Sequence, residues 1–125
     1  MVIAAPLTPQ TEGLFDEKAF KAMKKTARLI NIGRGPIVKT ADLITALESG
    51  EIAGAGLDVF EEEPLPEDHP LWDMDNVIMT AHMAGDFIGW KRALTDQFLE
   101  NFDRWHGGEE LFNLVDKELG YAGSK

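Results

Sequence analysis

The sequence predicts an α/β fold, with about four parallel strands in one sheet and a long C-terminal helix. Three observations predict it. Short apolar runs of β character alternate with segments of helical periodicity, as expected when crossover helices join parallel strands. The runs are cut off by breaks rich in glycine and proline. Near the end of the chain, Trp90, Leu94, Phe98 and Phe102 recur at steps of four, the mark of one long helix.

Taken in order, the first run is Val2 to Ala5, stopped by Pro6. Asp16 is a fitting N-cap for a helix over 17–24, with Phe20 and Met23 on its apolar face. The second run, Ala27 to Ile32, is interrupted by Arg28 and breaks at Gly33-Arg34-Gly35-Pro36. Thr40 is placed to cap the next helix, where Leu43, Ile44 and Leu47 share a face and Gly50 takes the C′ stop. A third strand is expected from Gly54 to Phe60, then an irregular loop carrying Pro64, Pro66 and Pro70. Val77 to Thr80 reads as the fourth strand, and the long helix follows Gly85 and runs to about Trp105, ending at Gly107-Gly108. The tail is mixed in character. Right-handed crossovers would keep the four strands in chain order within one sheet. The whole is read as one domain over 1–125, with the long helix and tail over 86–125.

Composition narrows the function. The chain has 125 residues, 44% hydrophobic and 27% charged, enough for one buried core. Twelve basic against 22 acidic side chains give a formal charge of −10, which disfavours nucleic acid and anionic membranes as partners. There is no cysteine, hence neither disulfide nor thiolate chemistry, and a cytoplasmic location is the expectation. The opening Met1-Val2-Ile3-Ala4-Ala5-Pro6 has no basic leader character, and no stretch approaches a membrane span.

Three polar residues follow successive strands: Arg34 the second, Glu63 the third and His82 the fourth. In a parallel sheet those strand ends share one edge, where open α/β folds bind ligands. Arg34 carries a planar fork suited to carboxylates, and histidine is the residue type suited to proton transfer near neutral pH. The plain alternatives are a surface arginine, a solvated loop histidine and, for Glu63, a solvated acidic loop beside Glu61 and Glu62. Glu61, Glu62, Glu67, Asp68 and His69 are not expected to form a metal site, since the proline-rich spacing gives them no fixed geometry.

Five segments then coincide in order. They are Pro6-Leu7-Thr8-Pro9-Gln10-Thr11, Asn31-Ile32-Gly33-Arg34-Gly35, Leu57-Asp58-Val59-Phe60-Glu61-Glu62-Glu63-Pro64-Leu65-Pro66, His69-Pro70-Leu71-Trp72 and Ala81-His82-Met83-Ala84-Gly85. Together they resemble the D-isomer-specific 2-hydroxyacid dehydrogenase family. The ending, with Asn113-Leu114-Val115-Asp116 and Gly120-Tyr121, resembles that of some members.

The resemblance implies half of a Rossmann-type doubly wound sheet and NAD- or NADP-dependent reduction of 2-oxo acids to D-2-hydroxy acids, with hydride transfer from the reduced cofactor. It implies that Arg34 binds the substrate, that His82 is the general acid–base and that Glu63 pairs with it. Asp58, Pro6 and Gly85 would lie against the nicotinamide half of the cofactor. Ala81 stands where many members carry proline.

The 125 residues hold no G-x-G-x-x-G loop. Gly33-Arg34-Gly35 and Gly54-Ala55-Gly56 are G-x-G pairs that open no helix in the phosphate-binding manner. The chain is therefore expected to be a fragment of the enzyme, inactive alone and dimeric or larger. The competing expectation is a self-associating half-Rossmann interaction module with at most weak nicotinamide binding.

Overall fold

The structure, a computed structural model, describes residues 1–122. Four strands, β1 (Val2–Ile3), β2 (Arg28–Asn31), β3 (Gly54–Leu57) and β4 (Val77–Met79), form one sheet in the order β1-β2-β3-β4. Every pairing is parallel. Two helices, α1 (Glu17–Lys21) and α2 (Thr40–Glu48), serve as crossovers. The expected half of a doubly wound α/β sheet is what forms. The chain divides into two compact units, Met1–Ala84 and Gly85–Lys125.

The first unit has its core on one face of the sheet. Ile3, Leu29, Ala55 and Leu57 point to that face, and Phe20 of α1 with Leu43 and Leu47 of α2 pack there, all buried. Strand alternation puts the neighbours on the opposite face. There the register aligns Val2, Ile30, Gly56 and Ile78 in one row, and the three large side chains are 57%, 42% and 74% exposed.

Local chemistry sets the element ends. Asp16 caps α1 as expected, its Oδ1 accepting from the N–H groups of Lys18 and Ala19 at 3.0 Å each. The helix is shorter than the 17–24 expected. Ala22 and Met23 close with i→i+3 bonds, tightening the last turn while Met23 still packs on the core. Thr40 is not the cap of α2 but its first residue, and Lys39 holds the cap position without a side-chain bond. The orphan Thr40 N–H is satisfied from outside, by Glu61 Oε2 at 2.7 Å. Gly50, at φ +68°, takes the C′ position as expected. The fourth strand stops at Met79, although Thr80 N–H still donates to the Leu57 carbonyl.

In the second unit, α3 (Trp90–Gly107) begins later than expected because Gly89, at φ +92°, sits in a left-handed conformation no helix continues through. The mixed tail contains a hairpin that the sequence reading lacked, β5 (Val115–Asp116) antiparallel to β6 (Tyr121–Ala122). Asn101 exchanges two hydrogen bonds with the Phe112 backbone, and the Arg104 guanidinium lies 3.8 Å from the Phe112 ring centroid. No residue of α3 is buried, and Leu94, Phe98, Phe102 and Trp105 are all exposed. Among the described residues, no helix is long and apolar enough to cross a membrane.

The two faces of the sheet predict opposite mutational costs. Leu29→Ala, in the centre of the core, is expected to lose about 2–5 kcal/mol. Ile78→Thr on the open face should stay within about 0.5 kcal/mol. Urea denaturation midpoints of the two variants check this.

Candidate active site at the carboxyl edge of the sheet

All four strands of the first unit deliver their carboxyl ends to one edge, and the segments after them carry Pro6, Arg34, Asp58, Glu63 and His82. Two glycines bring these segments into contact. A Cβ on Gly33 would stand 2.7 Å from the Ala5 carbonyl oxygen. One on Gly35 would stand 1.8 Å from the Phe60 carbonyl oxygen. Gly33-Arg34-Gly35 is thus wedged between the segments leaving β1 and β3, with no room for side chains on either side of Arg34. Its glycines serve close approach rather than phosphate binding.

Asn31, a buried polar residue at the end of β2, holds this loop. Its Oδ1 accepts from Gly33 N–H, and its Nδ2 donates to the Arg34 carbonyl, both at 3.0 Å. The Arg34 guanidinium donates to the Gly33 carbonyl at 2.7 Å and is otherwise presented to solvent.

Glu63 and His82 meet. Glu63 Oε2 lies 2.8 Å from His82 Nδ1, and Oε1 accepts from the Phe60 N–H at 2.9 Å. The hydrogen bond from His82 is the main reason the Glu63 carboxyl titrates below its ordinary range. The Phe60 N–H acts the same way, burial opposes both less strongly, and the charges of His82 and Arg34 lower it further. An ionised carboxylate only accepts, so Nδ1 carries the proton and Nε2 is the nitrogen left to exchange one. His82 itself has φ +51°, unusual for a residue with a side chain.

Asp58 is 4% exposed, and its carboxylate accepts from the Thr80 hydroxyl, from Met83 N–H at 2.9 Å and from Ala84 N–H at 2.9 Å. Burial pushes its carboxyl up, but these three donors and the His82 charge outweigh that and leave it lowered. Pro6 is exposed, its carbonyl accepting from the Thr11 hydroxyl at 2.8 Å. Gly85 opens the second unit, and a Cβ there would meet open space. Sequence reasoning missed Asn31 and Thr80; the available signal was a polar residue ending an otherwise apolar strand.

Beside His82 and Glu63 lies a cavity of about 690 Å³, with Phe60, Leu65, Trp72 and Met79 as its apolar walls. That volume is within the range of small-molecule sites. A nicotinamide has groups to meet here, because Asp58 lines the cavity and three donors leave about one of its carboxylate lone pairs free. A pyrophosphate does not. The N-terminus of α2, where an anion would sit, is already taken by Glu61. Among the described residues, no three His, Asp or Glu side chains gather as a metal site would require. His69 instead accepts from Leu71 N–H at the start of a 3-10 turn over Pro70–Asp73.

The sequence model of one family, described as D-isomer specific 2-hydroxyacid dehydrogenase, NAD binding domain, matches residues 1–84. The chain belongs to this family. A glyoxylate reductase of Thermofilum pendens is 45% identical over 117 residues, covering 94% of this chain and 34% of that protein. A second, from Pyrococcus horikoshii, is 44% identical over 119 residues, covering 95% and 35%. The chain therefore spans about a third of the length of these relatives.

Two solved structures share the fold. One, a D-isomer specific 2-hydroxyacid dehydrogenase from Xanthobacter autotrophicus in complex with NADPH and MES, is 48% identical with a TM-score of 0.86, covering 96% of this chain and 49% of that one. The other, an NADPH-dependent glyoxylate/hydroxypyruvate reductase from Sinorhizobium meliloti in complex with NADP and sulfate, is 38% identical with a TM-score of 0.89, covering 96% and 39%.

The wedge makes a sharp test. Gly35→Ala drives a methyl group into backbone that has nowhere to go and should cost about 3 kcal/mol or more. Gly56→Ala meets only ordinary contacts, the nearest at 3.7 Å, and should be neutral or slightly stabilising. Paired thermal melts separate the two.

Proposed function

We propose that this chain of the 2-hydroxyacid dehydrogenase family carries the catalytic centre of an NAD(P)-dependent reductase that converts small 2-oxo acids to D-2-hydroxy acids. The observation that carries the reading is the Glu63–His82 pair beside an open cavity, on the sheet edge that also presents Arg34. A reduced nicotinamide, when bound, would supply the hydride for this reduction. His82 Nε2 gives the proton to the carbonyl oxygen, so the oxo group becomes a hydroxyl. Glu63 accepts from Nδ1 and so fixes the ring and its tautomer. Arg34 grips the substrate carboxylate with its fork and polarises the neighbouring carbonyl. Asp58 and Pro6 lie on the same edge, and we assign them, with Gly85, to the nicotinamide side. The glyoxylate reductases among the relatives support a short substrate such as glyoxylate.

By themselves these 125 residues are expected to turn over little or nothing. Positioning of reactants supplies about 7–11 kcal/mol of a barrier, and the sequence holds no glycine-rich loop to anchor the pyrophosphate. The chain alone and its His82→Ala variant should be equally inactive with glyoxylate and NADH. The decisive assay exchanges the matching third of the Pyrococcus horikoshii enzyme for this chain. Glyoxylate-dependent NADH or NADPH oxidation by that chimera should fall at least about 100-fold with His82→Ala. A chimera indifferent to His82→Ala and Arg34→Ala ends the reading.

A second reading, self-association, is favoured by a specific observation. The Val2, Ile30 and Ile78 row and the Leu94, Phe98 and Phe102 stripe are apolar and exposed, and β1 pairs on one side only. Exposed apolar faces and open strand edges drive association. A homodimer or larger assembly is expected, with at most weak nicotinamide affinity if the chain is only an interaction module. Sedimentation equilibrium at micromolar concentration should give at least twice the 13.8 kDa chain mass. A monomer would refute it.

A further inference from the structure

His82 is followed by Met83 and Ala84, and all three backbone N–H groups go to one residue. His82 N–H donates to the Asp58 carbonyl at 2.9 Å, Met83 N–H to Asp58 Oδ1 at 2.9 Å and Ala84 N–H to Asp58 Oδ2 at 2.9 Å. Successive N–H groups turned inward around a left-handed residue make an anion-binding nest. Here the anion is internal. The Thr80 hydroxyl donates to Oδ1 as well, adding a third donor to the carboxylate.

We propose that Asp58, steered by Thr80, is the positioning residue that holds His82 in its left-handed backbone conformation and so aims the imidazole at Glu63. The inference rests on the reading of His82 as the acid–base group, and it gives Asp58 a task beyond cofactor contact. Four physical points support it. A positive φ at a residue with a Cβ persists only where the surroundings over-determine it, and at His82 the three bonds to Asp58 hold the backbone. A buried carboxylate is costly unless its acceptor sites are met, and three donors meet all but about one of them here. An acceptor-only group suits a site facing N–H and O–H donors alone, whereas a carboxamide would turn an NH₂ against one of them. The imidazole, at 47% side-chain exposure, has little packing of its own to hold it, so its direction follows from its backbone and from Glu63.

The test reads conformation, not turnover, so it stands or falls apart from the reductase reading, which the chimera assay decides. In the ¹⁵N-labelled full chain, imidazole ¹H–¹⁵N correlations should show Nδ1 protonated, and the Met83 and Ala84 amides should exchange slowly. In Asp58→Asn and in Thr80→Val, exchange at both amides should quicken at least about tenfold. The Nδ1–H signature should be lost, while the Leu29 amide in the sheet centre stays protected. Thr80→Ser, which keeps the hydroxyl, should restore the wild-type spectrum. If Asp58→Asn fails to fold, the Thr80→Val and Thr80→Ser pair decides. An unchanged tautomer signature and unchanged Met83 and Ala84 exchange in Thr80→Val overturn the proposal, as does loss in both Thr80 variants alike.

Discussion

Parallel strands cannot be joined by a two-residue turn, because each must be followed by an excursion that returns the chain to the opposite end. This chain makes that excursion three times, through α1, through α2 and through the proline-rich segment before β4. Each return resets the direction, so every strand of the sheet ends on the same edge. Residues 29 and 19 positions apart, Arg34 to Glu63 and Glu63 to His82, come to one edge for that reason alone. The same constraint crowds the loops leaving neighbouring strands. Gly33 and Gly35 answer the crowding by having no Cβ where the Ala5 and Phe60 carbonyls pass.

Polar side chains buried at strand ends do a second job at that edge. Asn31 at the end of β2 and Asp58 just after β3 are the buried polar residues of the described chain. Each spends its hydrogen-bonding capacity on the next loop, Asn31 on the one bearing Arg34 and Asp58 on the one bearing His82. A buried polar atom left without a partner is expensive, so such a residue commits the backbone around it to one arrangement. The loops bearing Arg34 and His82 are thereby tied to buried residues at the ends of β2 and β3.

The acidic run shows how closely adjacent residues can diverge. Glu61 reaches the first N–H of α2, while Glu63 bridges Phe60 N–H and His82 Nδ1. Glu62 between them is exposed. Three identical residue types in a row thus close a helix, face solvent and orient an imidazole. Which does which depends on where α2 and the His82 loop stand, and neither is a neighbour in sequence.

The sequence by itself determined the α/β class, the four strands in chain order and the positions of Arg34, Glu63 and His82 after successive strands. It could do so because periodicity and chain breaks are local properties, and because parallel strand direction puts the residues after successive strands on a shared edge. It also placed Asp16 and Gly50 at helix ends, where capping is settled within a few residues. What it left undecided depends on atoms distant along the chain. The Thr40 N–H is capped by Glu61 rather than by its own side chain, Gly35 is demanded by the Phe60 carbonyl, and the Asp58 carboxylate is occupied by groups from 80 to 84. The tail hairpin and the late start of α3 were likewise hidden, because short strands and a left-handed glycine leave almost no periodic signal. Only the tertiary structure decided these, since a hydrogen bond or a steric limit between remote segments exists only once the sheet has brought them together.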